Sequence, residues 1–257
     1  MRRWTSFSVG LLVALASLTA GQAVAGSPQR ELIVAAAANL SFALREIARA
    51  FEREHGVKVT LTLGSTAQLA QQILHGAPYD VFFAADAATV EDLRAKGAVL
   101  PDSVEPYASG QIVLGGMRRG AALSGLRDLT RDEVKRIAID NPVHAPYGKA
   151  AQEALEKAGL WPEVRSKLVY GENVGQALQF LQTGNVDVAI IPLSLARAVD
   201  LPSTPIDQAL YRPIIQLAGV SARSKSPDLA RAFIRFLTGP QGRPVMKRLG
   251  YLLPGEF

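Results

Sequence analysis

Asn39, Ser41, Ser65, Thr66 and Tyr147 are uncharged hydrogen-bond donors, and each falls where a short apolar run gives way to a helical pattern. Four such junctions stand out: Ala38-Asn39-Leu40-Ser41, Gly64-Ser65-Thr66, Ala145-Pro146-Tyr147-Gly148 and Glu172-Asn173-Val174-Gly175. The start of a helix leaves backbone N–H groups without intrahelical partners, and its dipole favours negative charge. Several helix starts gathered at one crevice therefore make a cradle for an anion. A set of neutral donors suits a fully ionised oxyanion; a ligand that keeps a proton would need an acceptor among them. Taken singly, each residue is more often a plain cap, because Asn, Ser and Thr favour helix N-termini everywhere. The set of four junctions is more specific than its members.

Other chemistries find less support. His55 and His75 each precede a glycine that closes a helical pattern, Gly56 and Gly76, which points to a surface position at a helix end. His144 lies three residues before Tyr147, near a junction, but a serine hydrolase needs its nucleophile on a sharp elbow and there is no Gly-x-Ser-x-Gly. Gly148-Lys149 lacks the earlier glycine of a phosphate-binding loop. The chain has no cysteine, and no two of its three histidines sit at helical metal-ligand spacing. A ferric receptor could be assembled on paper from Tyr147, Tyr170 and Glu172, but their spacing is not that of paired tyrosine ligands. A phosphate receptor would use arginine or an acidic acceptor; Lys149, two residues into a helix, is expected to face solvent.

The elements that must position the junctions alternate along the chain. Leu32 to Ala37, Val57 to Leu63, Val81 to Ala84, Gln111 to Gly115, Ile137 to Ile139, Leu168 to Tyr170, Val188 to Ile191 and Ile214 to Val220 read as strands. Leu44, Ile47, Ala48 and Phe51 repeat at helical spacing, as do Leu69, Ala70, Ile73 and Leu74. Further helices are expected near Ala87–Lys96, Gly148–Ala158, Val174–Leu181, Pro227–Leu237 and Pro240–Leu249. Alternation of this kind predicts an α/β fold, with parallel-rich sheets covered by helices on both faces, and ligands at the carboxyl edge of the strands. Pro101, Pro106 and Ser109-Gly110 interrupt the alternation, and Tyr211-Arg212-Pro213 interrupts it again. Two crossings imply two lobes: the first from 26–108 and 214–257, the second from 109–213, with a cleft between them and the crossings as its hinge.

Residues 1–25 read as an export signal. Arg2 and Arg3 precede an apolar run from Val9 to Ala20, and Ala23-Val24-Ala25 places cleavage after Ala25. That run is shorter than the roughly 20 residues needed to span a bilayer, and a lipid anchor on cysteine is excluded. Removal of the signal takes the formal charge from +5 to +3, a scattered excess with no basic run of the kind that binds nucleic acid. The effector-sensing part of a transcription regulator is disfavoured for the same reason and by the export signal.

The chain resembles the periplasmic molybdate-binding proteins. The resemblance runs from Val34-Ala35-Ala36-Ala37-Ala38-Asn39-Leu40 to Gly250-Tyr251-Leu252-Leu253-Pro254, and includes Gly76 to Asp86, Asn141-Pro142, Ala145-Pro146-Tyr147-Gly148 and Glu172 to Ala177 in order and spacing. It implies a two-lobed periplasmic binding fold of the second type. It also implies a non-enzymatic role: capture of molybdate or tungstate for a membrane ABC permease and its ATPase. Carried over residue by residue, it implies a side-chain donor in Asn39, a hydroxyl donor in Thr66, a phenol in Tyr147 and a backbone N–H in Val174, with Ala38 and Ser65 beside them. One branch of the family carries a binding tyrosine where this chain has Pro192, which lacks any donor; the chain is similar to the branch in which the Tyr147 position supplies the phenol. No cofactor is expected, molybdenum would enter only inside its oxyanion, and the protein is expected to be a monomer that binds no nucleic acid. Sulfate or phosphate is the alternative cargo.

Overall fold

The structure, a computed structural model, describes Met1 and residues 30–116 and 123–257. Apart from Met1, the expected export signal with its cleavage position lies outside the described residues. β1 (Glu31–Ala37) is buried on both faces, with Leu32, Val34 and Ala36 in one apolar cluster and Ala35 in another. α1 (Ser41–His55) buries Leu44, Ile47, Ala48 and Phe51, the i, i+3, i+4, i+7 stripe of a helix on a sheet. It ends on Gly56 at φ 63°, where a glycine avoids the left-handed penalty. β2 (Lys58–Gly64), α2 (Thr66–Leu74), β3 (Val81–Phe83) and α3 (Ala87–Ala95) follow, and the Asp86 carboxylate caps α3 by accepting from the Thr89 N–H at 2.7 Å.

β4 (Glu105–Gly110) leads through Gln111 into β5 (Ile112–Gly115). Then come β6 (Ile137–Asp140), α4 (Pro146–Lys157), the short α5 (Trp161–Val164), β7 (Leu168–Gly171) and α6 (Val174–Gln182). β8 (Val188–Pro192), α7 (Leu193–Ala198) and β9 (Ser203–Pro205) complete the middle of the chain. β10 (Ile214–Val220), α8 (Pro227–Thr238) and α9 (Arg243–Arg248) close it. α9 starts later than the sequence pattern suggests. Gly242 packs so tightly on the end of α8 that a Cβ there would lie 2.2 Å from the Leu237 carbonyl oxygen, so 239–242 must form a turn.

The strands form two five-stranded sheets, ordered β2-β1-β3-β10-β4 and β7-β6-β8-β5-β9. β1 is parallel to β2 and β3, and β6 is parallel to β7 and β8. The α/β class expected from the alternation is therefore present, but each sheet is mixed. β10 runs against β3 and β4, and β5 against β8 and β9. The crossings explain this. β5 starts beside the end of β8 (Ile112 opposite Pro192) and β10 starts beside the end of β4 (Ile214 opposite Gly110). Each enters its sheet from the edge where the parallel strands finish, so it must run the other way. Ser109 and Gly110 pair with β10 in the first sheet, and Gln111 links them to β5 in the second.

Candidate functional site

The carboxyl edges of the two sheets face each other across a small cavity. Ala38, Asn39, Ser65, Thr66 and Ala85 wall it from the first sheet; Asp140, Pro146, Tyr147, Asn173 and Val174 wall it from the second. The six residues marked by the family resemblance, Ala38, Asn39, Ser65, Thr66, Tyr147 and Val174, thus line one cavity. Ser41, Tyr170, Glu172 and Pro192 are not in its wall. Lys149 and His144 line a neighbouring cleft with Asp86, Glu153 and Arg212.

Each junction leaves donors for the cavity in its own way. At α6 the Asn173 side chain accepts from the N–H groups of Gly175 (3.0 Å) and Gln176 (3.2 Å), which leaves the Val174 N–H uncapped at the cavity wall. At α2 the Thr66 hydroxyl accepts from the Ala85 N–H at 3.0 Å, so its own hydrogen stays available. Pro146 begins α4, where its missing N–H costs nothing and its fixed φ suits the first turn. Ser65 spends its hydroxyl differently. Its Oγ donates to the His144 carbonyl at 3.0 Å, joining the two sides of the cavity.

Asn39 is buried (2 % exposed) and held from both sides. Its Nδ2 lies 3.0 Å from Gln216 Oε1, 3.1 Å from Tyr251 Oη and 3.3 Å from Tyr147 Oη. Its backbone carbonyl accepts from Tyr251 Oη (2.8 Å) and Ser194 Oγ (3.2 Å). The side-chain donors expected of Asn39 are therefore engaged within the protein, and its Oδ1 is buried without a partner among the described residues. Tyr147 Oη accepts from Gln216 Nε2 at 2.9 Å as well as from Asn39, so its own hydrogen is left for a further acceptor. Burial, reinforced by the nearby Tyr251, holds the Tyr147 phenol well above its ordinary value, so it stays a neutral donor. A Cβ on Gly110 would lie 2.0 Å from Tyr147 Oη, so the phenol sits against a bare backbone at the crossing.

Three groups here escaped the sequence reading. Gln216, fully buried in β10, joins Tyr147, Asn39 and Tyr107; the Tyr107 hydroxyl reaches Gln216 Oε1 at 2.7 Å. Tyr251 clasps the Asn39 carbonyl from the C-terminal segment. Asp140, 4 % exposed, brings a carboxyl into the cavity wall, and among the described residues no lysine or arginine joins it there. Burial raises the Asp140 carboxyl to about 7, opposed by the Asn141 N–H that it accepts at 3.1 Å. A polar residue inside an apolar strand run, as in IIQLAGV, is the signal that could have found Gln216, and a carboxyl at the carboxyl end of a strand, as in IAID, is the one for Asp140.

Comparison with known proteins agrees with this geometry. A family described as bacterial extracellular solute-binding protein matches residues 32–252. The molybdate-binding protein ModA of Azotobacter vinelandii is 36% identical over 250 residues, covering 96% of this chain and 98% of that protein. The molybdate-binding protein ModA of Rhodobacter capsulatus is 32% identical over 223 residues, covering 86% of this chain and 88% of that protein. The solved structure of the Azotobacter vinelandii periplasmic molybdate-binding protein superposes with a TM-score of 0.82 at 31% identity, over 87% of this chain and 99% of that one.

Proposed function

Because the chain belongs to the bacterial extracellular solute-binding protein family, we propose that it captures molybdate or tungstate between its two sheets and delivers the ion to a membrane permease with its ATPase. The observation that carries this reading is the cavity itself: helix starts from both sheets and uncharged donors, with no lysine or arginine among the described residues of its wall. The match to two molybdate-binding relatives supports the choice of ion.

In this reading the Thr66 hydroxyl, the Tyr147 phenol and the Val174 N–H donate to the oxyanion, with backbone N–H groups at Ala38, Asn39 and Ser65 beside them. Uncompensated burial of a dianion is unfavourable. Charge-assisted hydrogen bonds and helix N-termini offset that desolvation without a counter-ion. Sulfate has the same charge and shape as molybdate but is smaller, so selection rests on cavity size. Two lobes, 26–110 with 214–257 and 111–213, close on the ion and open about Gln111 and the Tyr211-Arg212-Pro213 segment. Bonds from both lobes make the closed form the better binder, and differential affinity shifts the population toward it. The protein is exported, trimmed after Ala25, and works as a monomer without a cofactor.

Calorimetric titration with molybdate, tungstate, sulfate and phosphate tests the proposal. Tight binding is expected for the first two alone. Sulfate bound as tightly as molybdate would overturn the choice of cargo.

A further inference from the structure

A carboxyl in the wall of a cavity built for a dianion needs a physical account. Asp140 ends β6, and its backbone is fixed there. A Cβ on Gly148 of α4 would lie 2.3 Å from the Asp140 carbonyl oxygen, so helix and strand end are in direct contact. That contact holds the Asp140 backbone at the wall. Its Oδ1 accepts the Asn141 N–H, and that is its hydrogen bond among the described residues.

The charged and titratable groups on the elements around Asp140 do not neutralise it. On α4, Tyr147 is a neutral phenol, and Lys149 lines the neighbouring cleft instead. His144, in the segment before α4, lines that cleft too. Glu172, between β7 and α6, is exposed and lies outside the cavity wall. Across the cavity, the Asp86 carboxylate is occupied in capping α3. The upward shift of the Asp140 carboxyl comes from burial, with no charged neighbour contributing.

An ionised Asp140 and a dianion in the same low-dielectric cavity would repel strongly. Of the two, the carboxylate is the stronger base, since molybdate stays fully ionised in neutral water. Building on the oxyanion reading above, we propose that Asp140 controls the proton balance of the site: the dianion is held with the Asp140 carboxyl protonated and its O–H donating to a ligand oxygen, so that capture of one ion takes up one proton. The one carboxyl that the described residues bring to the wall thereby becomes one more donor and joins the neutral set around it. The sign follows from linkage. Below about pH 7 the free protein already carries this proton and affinity is flat; above it the proton must be taken from solution.

Calorimetry with molybdate from about pH 6 to about pH 9, in buffers of different ionisation enthalpy, tests the inference. Affinity is expected to fall by up to tenfold per pH unit on the alkaline side, with close to one proton taken up per ion there. Asp140→Asn keeps a neutral donor, so its affinity should be flat across the range and exceed that of the native protein at high pH. A flat native profile, no proton uptake at high pH, or a slope retained by Asp140→Asn would overturn the proposal. Tighter binding of hydrogen phosphate than of molybdate at high pH would overturn it too, because the carboxylate would then be accepting the ligand's own proton. Failure of the native protein to bind molybdate at any pH would remove the oxyanion reading itself. If Asp140→Asn does not fold, the proton count on the native chain still decides.

Discussion

Tyr147 serves two purposes through one oxygen. It accepts from Gln216 and Asn39, and its own hydrogen is left for a further acceptor, the ligand in the proposed function. Tyr147→Phe should weaken molybdate binding by about 1.5–3 kcal/mol, the range for a hydrogen bond to a charged group. It should also lower the stability of the ligand-free protein by about 1–3 kcal/mol, because Gln216 Nε2 loses its acceptor in a buried site. Calorimetry and chemical denaturation read the two losses separately, and an unchanged dissociation constant would remove Tyr147 from the ligand's contacts. Asp140 gives a third expectation at this scale. Its folded value lies above that of an unfolded aspartate, so its stabilising proton is fully present in acid and lost as pH rises toward about 7. The denaturation midpoint of the ligand-free protein should fall across that interval, and Asp140→Asn should abolish that part of the fall. Thr66, Tyr147 and Val174 were legible as cavity-lining residues because they lie where helices open after strands. Asp140 was not, because a carboxyl before Asn141-Pro142 reads as the start of a loop, and Gln216 was not, because it interrupts an apolar run by one residue and its partners lie on segments distant in sequence. The true partners of the Asn39 amide were hidden for the same reason.

Among the elements, α6 shows how a cap can serve a ligand. Asn173 covers two of the first N–H groups and leaves the Val174 N–H facing the cavity. Asn173→Ala should lower stability by about 1 kcal/mol by denaturant titration, and it should weaken molybdate binding as well, because the first turn is no longer fixed. If binding is unchanged while stability falls, the Val174 N–H is not a ligand donor. Long periodic elements such as α1 and β1 were legible from residue spacing alone. β4 was not, because Pro106 reads as a strand breaker. The structure accommodates it at an irregularity in the pairing with β10, where the register shifts between Gln216 and Leu217. A proline at such a bulge removes no regular ladder bond. α5, α7 and β9, at four, six and three residues, are too short to show a period.

For the whole molecule, several contacts join the two sides of the cavity besides those of Tyr147, and in the proposed mechanism they would favour the closed form over the open one. Ser65 Oγ donates to the His144 carbonyl, and Ser194 Oγ donates to the Asn39 carbonyl. On the outer side, Arg197 of α7 reaches the backbone carbonyls of Lys247 (3.5 Å) and Arg248 (3.4 Å) on α9. A net hydrogen bond contributes about 1 kcal/mol, so these few bonds bias the equilibrium without fixing it. Ser65→Ala combined with Ser194→Ala should raise the radius of gyration of the ligand-free protein in small-angle X-ray scattering, and saturating molybdate should restore it. An unchanged ligand-free radius would show that these bonds do not set the closed population.

The position of β10 has a consequence for how the chain assembles. It lies between β3 and β4 in the first sheet, although it follows the entire second sheet in the chain. As the polypeptide emerges N-terminus first, 111–213 can gather as an uninterrupted stretch. The first sheet must wait, with a gap between β3 and β4, until the last sixth of the chain arrives to fill it. The half that emerges first is therefore the half that finishes last, and a chain stopped near Pro213 would leave the edges of β3 and β4 bare to any strand that meets them.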